Sequence, residues 1–419
     1  MTSQVGPWTW TKVAGGDVRD ATGDCGFALD AEQQAHFVHS IMVSPANRVC
    51  YLKPDSDRWW SHSLEDLKWF GPGPVALAVQ AGQAHIAYLM RVNADAGILY
   101  YARHEGVWPA YWFYLDEYNP WCCDICLDED GDPVIAFYAG EPRRQLMLAR
   151  WNKSGGPPYL IVEEITLPGS GVGFWPSCRF DSEGALHIAH YENFALRPYH
   201  SVRQPGGSWQ HEAVDVSGSG GYQPSLAFLN GTTPVIAYTT ATPTTLDNST
   251  VRLATRQSDG SWQREELPGK TMQGESLSLA VDSRGRPHLL RFDAPNFGVS
   301  LSVREGAAWV SERLLAGTGY GFRLRLVLDR NECPVVGVAR REGFWVSYLY
   351  QGVRGTPFES ANASKDEPLP LDPAVANQKL VIGPLNVGGS PGGAMPTSSP
   401  SNSGGKLPGW LSAPSGSLL

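Results

Sequence analysis

The stretch GYQPSLAFLNGTTPVIAYTT (residues 221–240), followed by STVRLATRQSDGSWQREEL (249–267), decides the fold of this chain. It contains four short segments rich in apolar, aromatic and β-branched residues, which is the pattern of β-strands. N-G and D-G pairs separate the segments, as in tight turns between antiparallel strands. The stretch therefore predicts one four-stranded antiparallel unit.

The same phrase recurs along the chain. Clear copies are ESLSLAVDSRGRPHLLRFD (275–293) and WPSCRFDSEGALHIAHYE (175–192), and more divergent copies fill the rest. The residue that ends the first strand of each copy recurs every 47–53 residues, at Asp30, Gln80, Asp128, Asp181, Leu229, Asp282 and Asp329. A period of about 50 residues with four strands per copy is typical of a β-propeller blade. We predict an all-β, seven-bladed β-propeller of four-stranded blades over residues 1–365.

A closed ring needs a strand that joins its two ends. Residues 6–13, GPWTWTKV, resemble the last strand of a repeat but precede the first complete copy. We expect them to form the outermost strand of the seventh blade. The segment GTPFESA (355–361) is the competing candidate, because it follows the seventh copy in register.

The repeat stops after about residue 365. Residues 366–419 include 9 Pro, 9 Gly and 8 Ser, a composition that cannot build a core and predicts a flexible tail. Two apolar islets, at 379–382 and 407–411, interrupt it. They indicate either a docking peptide for a protein partner or an unstructured terminus with incidental apolar residues.

The composition argues against several classes of function. The 419 residues carry a net charge of −9, which argues against a nucleic-acid partner, since binding to phosphates needs a basic surface. No apolar run reaches the roughly 18–20 residues needed to span a bilayer. No secretory signal is visible at the N-terminus, so the localisation stays open between the cytoplasm and export by a non-classical route.

The seven cysteines predict neither a disulfide framework nor a metal site. Their number is odd and their spacing irregular, so reduced, mostly buried thiols are expected. Cys122, Cys123 and Cys126 cannot all converge on a zinc ion, because alternate strand residues point to opposite faces. We expect no cofactor and no metal; whether loop oxygens bind Ca²⁺ is left open.

Aromatic residues open the first strand of several repeats, where loops converge on one face of a propeller. They are Trp69, Phe70, Trp121, Phe174, Trp175, Tyr222 and Tyr320. Flat apolar rings with polar groups at their edges suit stacking on sugar rings. Packing between neighbouring blades explains repeated aromatics equally well.

A second candidate set departs from the repeat. The last position of the phrase P-H-I-A-Y is usually apolar or aromatic, but His39, His190 and Arg291 occupy it in three copies. Tyr191, Glu192 and Asp293 lie just beyond them, and Arg340 lies just beyond the same position of the seventh copy. An imidazole and a carboxylate near an arginine could anchor an acidic sugar or abstract a proton. The alternative is that they are polar residues solvated by ordered water in a channel.

Other histidines recur at one repeat position, the start of the second strand: His36, His85, His187 and His288. A residue type repeated at one structural position is better explained by the architecture of the blade than by catalysis.

The phrase PSLAF, PVIAY, LATR and GSWQREEL resembles the repeats of bacterial seven-bladed propellers: sialidase-like proteins, propeller-type polysaccharide lyases and fucose-binding propeller lectins. The resemblance covers residues 6 to about 365. The sialidase Asp-box, S-x-D-x-G-x-T-W, is not intact in any copy. Since lyase-like propellers use a His and a Tyr, the resemblance implies His190 and Tyr191 as the nearest match by residue type.

Three functions remain at this point. The first is a lectin-like module that binds carbohydrate, or another polar ligand, through Trp121, Trp175, Tyr222 and Tyr320, with His39, Arg291, Asp293 and Arg340. The second is a polysaccharide lyase or glycosidase that uses His190, Tyr191 and Glu192. The third is a scaffold or cargo subunit that docks to a larger assembly by its C-terminal tail. Fold alone cannot decide among them.

Overall fold

We analysed a computed structural model of the chain. It describes residues 2–5, 7–15, 21–42, 47–55, 58–67, 74–91, 97–103, 110–115, 120–140, 143–154, 159–165, 171–217, 220–240, 249–271, 277–296, 298–317, 320–342, 346–364 and 381–382. These residues form β-strands and turns, with two short 3-10 helices at Ala294–Asn296 and Ser360–Asn362 and no α-helix. No helix in this part of the chain is long and apolar enough to cross a membrane.

The strands follow one another closely along the chain. Those of the first half are β1 (Thr2–Val5), β2 (Trp8–Gly15), β3 (Ala21–Leu29), β4 (Ala35–Met42), β5 (Asn47–Asp55), β6 (Arg58–Leu67), β7 (Val75–Gln80), β8 (Gln83–Arg91), β9 (Gly97–Arg103), β10 (Ala110–Leu115), β11 (Pro120–Leu127), β12 (Pro133–Ala139), β13 (Gln145–Trp151) and β14 (Leu160–Glu164).

Those of the second half are β15 (Val172–Phe180), β16 (Leu186–Glu192), β17 (Arg197–Arg203), β18 (Trp209–Ala213), β19 (Gly220–Leu229), β20 (Thr233–Thr240), β21 (Val251–Arg256), β22 (Trp262–Glu266), β23 (Ser278–Val281), β24 (Pro287–Asp293), β25 (Gly298–Glu305), β26 (Ala308–Ala316), β27 (Tyr320–Leu328), β28 (Pro334–Glu342), β29 (Val346–Arg354) and β30 (Val381–Ile382).

The described strands pair into separate sheets, which we number along the chain. Sheet 1 is β3-β4-β5-β6-β30, sheet 2 is β7-β8-β9-β10, sheet 3 is β11-β12-β13-β14, sheet 4 is β15-β16-β17-β18, sheet 5 is β19-β20-β21-β22, sheet 6 is β23-β24-β25-β26, and sheet 7 is β27-β28-β29-β2-β1. The first strand of each sheet contacts the first strand of the next, and β27 contacts β3. The sheets therefore surround a common axis lined by their first strands, and the predicted all-β propeller is confirmed.

The burial pattern follows from this arrangement. All seven residues of β12 (PVIAFYA) are buried, because neighbouring sheets cover both of its faces. The outer strand β22 (WQREE) is largely exposed and charged. Most of the core thus lies between sheets, as in the apolar cluster that joins Ile125 and Phe137 of sheet 3 to Ala87 and Leu89 of sheet 2.

The N-terminal segment joins the last sheet, as predicted, although the outermost strand of that sheet is β1 and not β2. Strand β2 pairs antiparallel with β29, and the rings of Trp8 and Trp10 are 2% and 1% exposed. Trp8 Nε1 donates a 2.5 Å hydrogen bond to the buried carboxylate of Glu312 in sheet 6. The competing segment 355–361 forms no strand; the guanidinium of Arg354 instead donates to the carbonyls of Thr356 and Pro357, 2.8 Å from each.

The predicted tail lies almost entirely outside the described residues. Only β30 belongs to them, and it pairs in parallel with β6, with Val381 beside Trp60 and Ile382 beside Ser61. One of the two apolar islets therefore extends sheet 1 by a short edge strand. The islet at 407–411 lies outside the described residues.

Candidate functional site

The axis of the ring contains a narrow cavity of about 110 Å³. The first strands of sheets 2 to 7, with the residues just before them, contribute its walls. The lining residues are Pro74, Val75, Cys122, Cys123, Asp124, Trp175, Pro176, Ser177, Arg179, Gln223, Pro224, Ser225, Leu277, Ser278 and Arg325. Residues of six sheets line this axial cavity, so it is the candidate site.

Two wall residues have strained backbone. Trp175 in β15 and Gln223 in β19 both have φ of +46°, in the left-handed region that non-glycine residues avoid. Each is followed by a proline and lies where the register with the next strand shifts, between Phe174 and Ser177 in one sheet and between Tyr222 and Ser225 in the other. The two bulges therefore hold an indole and an amide at equivalent positions in the cavity wall, at an energetic cost typical of functional sites.

An aromatic cluster surrounds the first of these bulges. The ring centroid of Trp175 lies 5.8 Å from that of Tyr191 and 5.6 Å from that of Tyr222, and the rings of Tyr191 and Tyr222 are 4.5 Å apart. Phe174 continues the cluster to sheet 3, with its ring centroid 3.7 Å from that of Tyr138. Three of the predicted aromatic residues, Phe174, Trp175 and Tyr222, thus belong to one cluster, which spans sheets 3 to 5.

The exposure of these rings differs. Trp175 and Tyr222 are partly buried and Tyr191 is fully buried, whereas 47% of the surface of Trp121 is exposed. Sequence reasoning missed Phe194, in the loop between β16 and β17, which is 64% exposed on the same face of the ring. Trp69, Phe70 and the side chain of Tyr320 lie outside the described part of the structure.

A repeated hydrogen bond crosses the cavity wall from sheet to sheet. The bond uses the position four residues before the recurring residue that ends the first strand of each repeat, which is Asp128, Asp181, Leu229 or Asp282. There, side-chain oxygens of Asp124, Ser177, Ser225 and Ser278 accept backbone N–H groups from the next sheet, at Cys178 (2.9 Å), Leu226 (3.3 Å), Leu279 (3.0 Å) and Leu326 (2.8 Å). A small polar residue recurring at one repeat position was the signal in the sequence that could have found this set.

The acidic member of this set is the one carboxyl among the residues that line the cavity. Burial raises the pKa of Asp124, while the charges of Arg179 and Arg325 and the N–H of Cys178 oppose that rise. Arg179 Nε donates to the carbonyl of Leu226 (2.9 Å), and an amino group of Arg325 donates to the carbonyl of Leu324 (3.1 Å). Sequence reasoning named none of these three charged residues.

The predicted catalytic residues do not share one environment. His190 is fully buried within sheet 4, where its Nε2 lies 2.8 Å from Oγ of Ser201, which in turn lies 2.9 Å from Nδ1 of His211. Burial, with the neighbouring His211 and His200, lowers the pKa of His190 to about 3, so the imidazole is neutral. Tyr191 joins the aromatic cluster, and burial raises the pKa of its phenol. Glu192, partly buried, follows at the end of β16.

The other predicted binding residues belong to three different sheets. His39 is buried in β4, and burial lowers its pKa to about 4. Arg291 is buried in β24 and donates to the carbonyl of Pro268 at 2.7 Å; Asp293, also buried, accepts from Ser300 at 3.5 Å. Arg340 lies in β28, partly buried and paired in register with Tyr320. None of the four is among the residues lining the axial cavity.

The repeated histidines bind the repeated aspartates. Nε2 of His36, His187 and His288 lies 3.0, 3.2 and 3.2 Å from the carboxylates of Asp30, Asp181 and Asp282. The other carboxylate oxygen accepts turn amides, as at Asp181, which takes the N–H groups of Glu183 and Ala185. These pairs stabilise the turn between the first two strands, which supports the architectural interpretation for those three residues.

Two further sets of residues were candidates for thiol or metal chemistry: the cysteines and a cluster of three aspartates. All seven cysteines are free, and six are buried. The carboxylates of Asp128, Asp130 and Asp132 lie close enough together to hold a cation, but the ammonium of Lys153 contacts all three, 3.1 Å from Asp128 and 3.9 Å from Asp132. The lysine thus already balances part of this charge.

No protein-family model matches the chain, and neither does any curated protein. Solved structures do. An uncharacterised protein from Dyadobacter fermentans has 10% identity and a TM-score of 0.48, over 82% of this chain and 99% of that one. The polysaccharide lyase Uly1 has 8% identity and a TM-score of 0.49, over 76% and 88%. The SapL1 lectin, solved with α-methyl fucoside, has 13% identity and a TM-score of 0.45, over 72% and 98%. At such identities the similarity concerns the fold alone.

Proposed function

We propose that this propeller binds carbohydrate at the mouth of the axial cavity, with Trp175 as the stacking platform. The observation that carries the proposal is the pair of strained bulges at Trp175 and Gln223. Non-glycine residues at positive φ cost stability, and such strain persists where the residue's position serves a function. Both side chains belong to the wall of the same cavity.

The chemistry of the mouth suits a sugar. A sugar ring presents apolar C–H faces that stack on aromatic rings and hydroxyls that need hydrogen-bond partners. Trp175 and Tyr222 offer the rings, and Trp121, which precedes the cavity residue Cys122, is exposed. The side-chain oxygen of Gln223 is buried and has no hydrogen-bond partner among the described residues, and Asp124 offers a second acceptor group. A ligand hydroxyl would satisfy the Gln223 oxygen.

The enzyme alternative stays a prediction. His190 is fully buried and bonded to Ser201, on the opposite side of β16 from Tyr191, since successive strand residues alternate in direction. Our proposal therefore does not use His190, Tyr191 and Glu192 as reacting groups. The sites expected at His39, Arg291, Asp293 and Arg340 likewise stay predictions.

We also infer that the ring has seven blades, one for each sheet. The succession of contacts from β3 through to β27 and back to β3 supports this count. Gly337 of sheet 7 supports it at the closing seam: a Cβ there would lie 2.9 Å from Cε1 of Phe37 in sheet 1. We further propose that the propeller domain ends at about residue 365 and that the tail of residues 366–419, which touches the propeller through β30, docks to a partner.

A glycan array tests the proposed function. The full chain should bind a defined group of glycans without turning them over, and Trp175→Ala and Tyr222→Ala should each abolish the signal. Trp309→Ala, in the outer strand β26, is the matched control and should keep it. If the wild-type chain binds no glycan, the proposal is wrong.

A further inference from the structure

The wall of the axial cavity has a polar character that sugar stacking does not explain. The hydroxyl oxygens of Ser177, Ser225 and Ser278 each accept a backbone N–H from the next sheet. Since a hydroxyl has one proton to donate, each of these serines still holds a donor. No described residue accepts those protons, and all three serines line the cavity. The cavity wall therefore carries a set of hydroxyl donors.

Two guanidinium groups add to these donors. The hydrogen bonds of Arg179 and Arg325 in the described part of the chain go to backbone carbonyls, of Leu226 and Leu324. Neither forms a salt bridge with a described carboxylate. Other arginines of the ring differ: Arg252 pairs with Asp215 and Arg286 pairs with Asp282. Each cavity arginine thus keeps N–H groups available for an anion.

The single carboxyl in the wall does not cancel this charge. Asp124 faces two arginines, and one of its oxygens already accepts the amide of Cys178. Burial raises the pKa of this carboxyl, and even when it is ionised it offsets only one of the two guanidinium charges. The wall is therefore rich in donors and, on balance, positive.

We propose that the axial cavity binds an oxyanion, a carboxylate, sulfate or phosphate group, through Arg179, Arg325 and the hydroxyls of Ser177, Ser225 and Ser278. The cavity volume of about 110 Å³ is several times the ~30 Å³ share of one water molecule, so the cavity has room for one such oxyanion group. The anion has two sources: a free inorganic ion, or a charged substituent of a glycan that stacks at the mouth. The second source rests on the proposed function.

The first test uses sulfate alone, titrated into the full chain by calorimetry at constant ionic strength with chloride as the balancing salt. Wild-type protein should bind sulfate. Arg325→Gln and Arg179→Gln should each weaken that binding about tenfold or more, because a hydrogen bond to a charged group is lost. Arg284→Gln, an exposed arginine paired with Glu359 outside the cavity, is the control and should bind as wild type does.

Replacing the carboxyl of Asp124 should have the opposite effect on sulfate binding. Asp124→Asn keeps an acceptor for the Cys178 amide but removes a negative charge, so sulfate binding should strengthen several-fold or stay the same. This gain does not depend on whether the arginine variants fold. Weaker sulfate binding in Asp124→Asn would overturn the proposal.

The second test separates the sources with matched sulfated and neutral oligosaccharides. A preference for the sulfated member that disappears in Arg325→Gln supports the glycan source, even if free sulfate does not bind. Binding of free sulfate without any glycan binding supports the inorganic source and contradicts only the proposed function. If neither sulfate nor a sulfated glycan binds, or if both arginine variants bind as wild type does, the oxyanion site is wrong.

Discussion

The ring centroids of Trp175 and Tyr222 lie 5.6 Å apart, although the two residues belong to the first strands of different sheets. Both residues adjoin a bulge, and the bulge residues Trp175 and Gln223 share a φ of +46°. The contact thus joins two equivalent irregularities of neighbouring repeats at the mouth of the axial cavity. Regular strands at these two positions would avoid the cost of the positive φ. The two bulges therefore indicate a function for the side chains that they position.

Replacing Gln223 with Gly should separate stability from binding. Glycine adopts positive φ without strain, so Gln223→Gly should raise the free energy of unfolding by about 1 kcal/mol while weakening ligand binding. Ala81→Gly is a matched control, because Ala81 has φ of +50° in an exposed turn. It should bring a similar gain and leave binding unchanged. Chemical denaturation and a binding titration measure the two effects; equal binding by both variants would argue against a ligand at Gln223.

The serine bonds between sheets should contribute to stability. Ser225→Ala leaves the amide of Leu279 without its 3.0 Å acceptor in a buried setting, so it should cost about 1–3 kcal/mol. Ser208→Ala, at an exposed turn, should change the unfolding free energy by less than about 0.5 kcal/mol. Urea denaturation of both variants checks this. Equal stability of the two would show that the seam bond is not needed.

Ring closure should depend on the buried pair of Arg354 and Glu312, both 0% exposed and 3.4 Å apart. Glu312→Gln removes the charge that compensates Arg354, and breaking a buried pair typically costs about 3–5 kcal/mol. The exposed pair of Arg284 and Glu359 is the control, since Arg284→Gln should cost less than about 1 kcal/mol. Urea denaturation measures both variants. An unfolding midpoint for Glu312→Gln equal to that of Arg284→Gln would show that the buried pair does not stabilise the closure of the ring.

Stability should fall in mild acid. The pKa values of His39, His187 and His190 are about 4, 4 and 3 in the folded chain, chiefly because of burial, against an ordinary value of 6.5. Below pH 6.5 the unfolded chain binds more protons, so the stabilisation present above that pH is lost as the pH falls towards 4. Three protons give a slope of up to about 4 kcal/mol per pH unit. Denaturation at pH 7, 6 and 5 measures it.

The control for this titration is His190→Gln, which keeps a hydrogen-bonding group beside Ser201 but cannot take up the proton. The slope should then fall by about a third. A free energy of unfolding that stays constant between pH 7 and pH 5 would mean that these imidazoles are not held neutral.

Repetition made much of the fold predictable. Anchor residues such as Asp181 recur with the period of the sheets, and the aspartate–histidine pairs follow from the same period. The strand that closes the ring was predictable because residues 6–13 repeat the pattern of an outer strand. Each of these features is local and repeated, so one sequence is enough to find it.

The candidate site was less predictable, because it depends on departures that a pattern does not show. A positive φ at Trp175 cannot be deduced from a tryptophan, since glycine or asparagine is the usual signal. His190 is fully buried and lies beside Ser201 of the next strand, which the residue types along β16 do not show. Asp124 and Arg325 share a cavity although they are about 200 residues apart, and only the closed ring brings them together.

The central claim, carbohydrate binding at Trp175, is tested most directly by calorimetric titration of a glycan selected on the array. Trp175→Ala should lose binding, and Trp309→Ala should bind with the affinity of the wild type. Equal affinity in wild type and Trp175→Ala would contradict the claim.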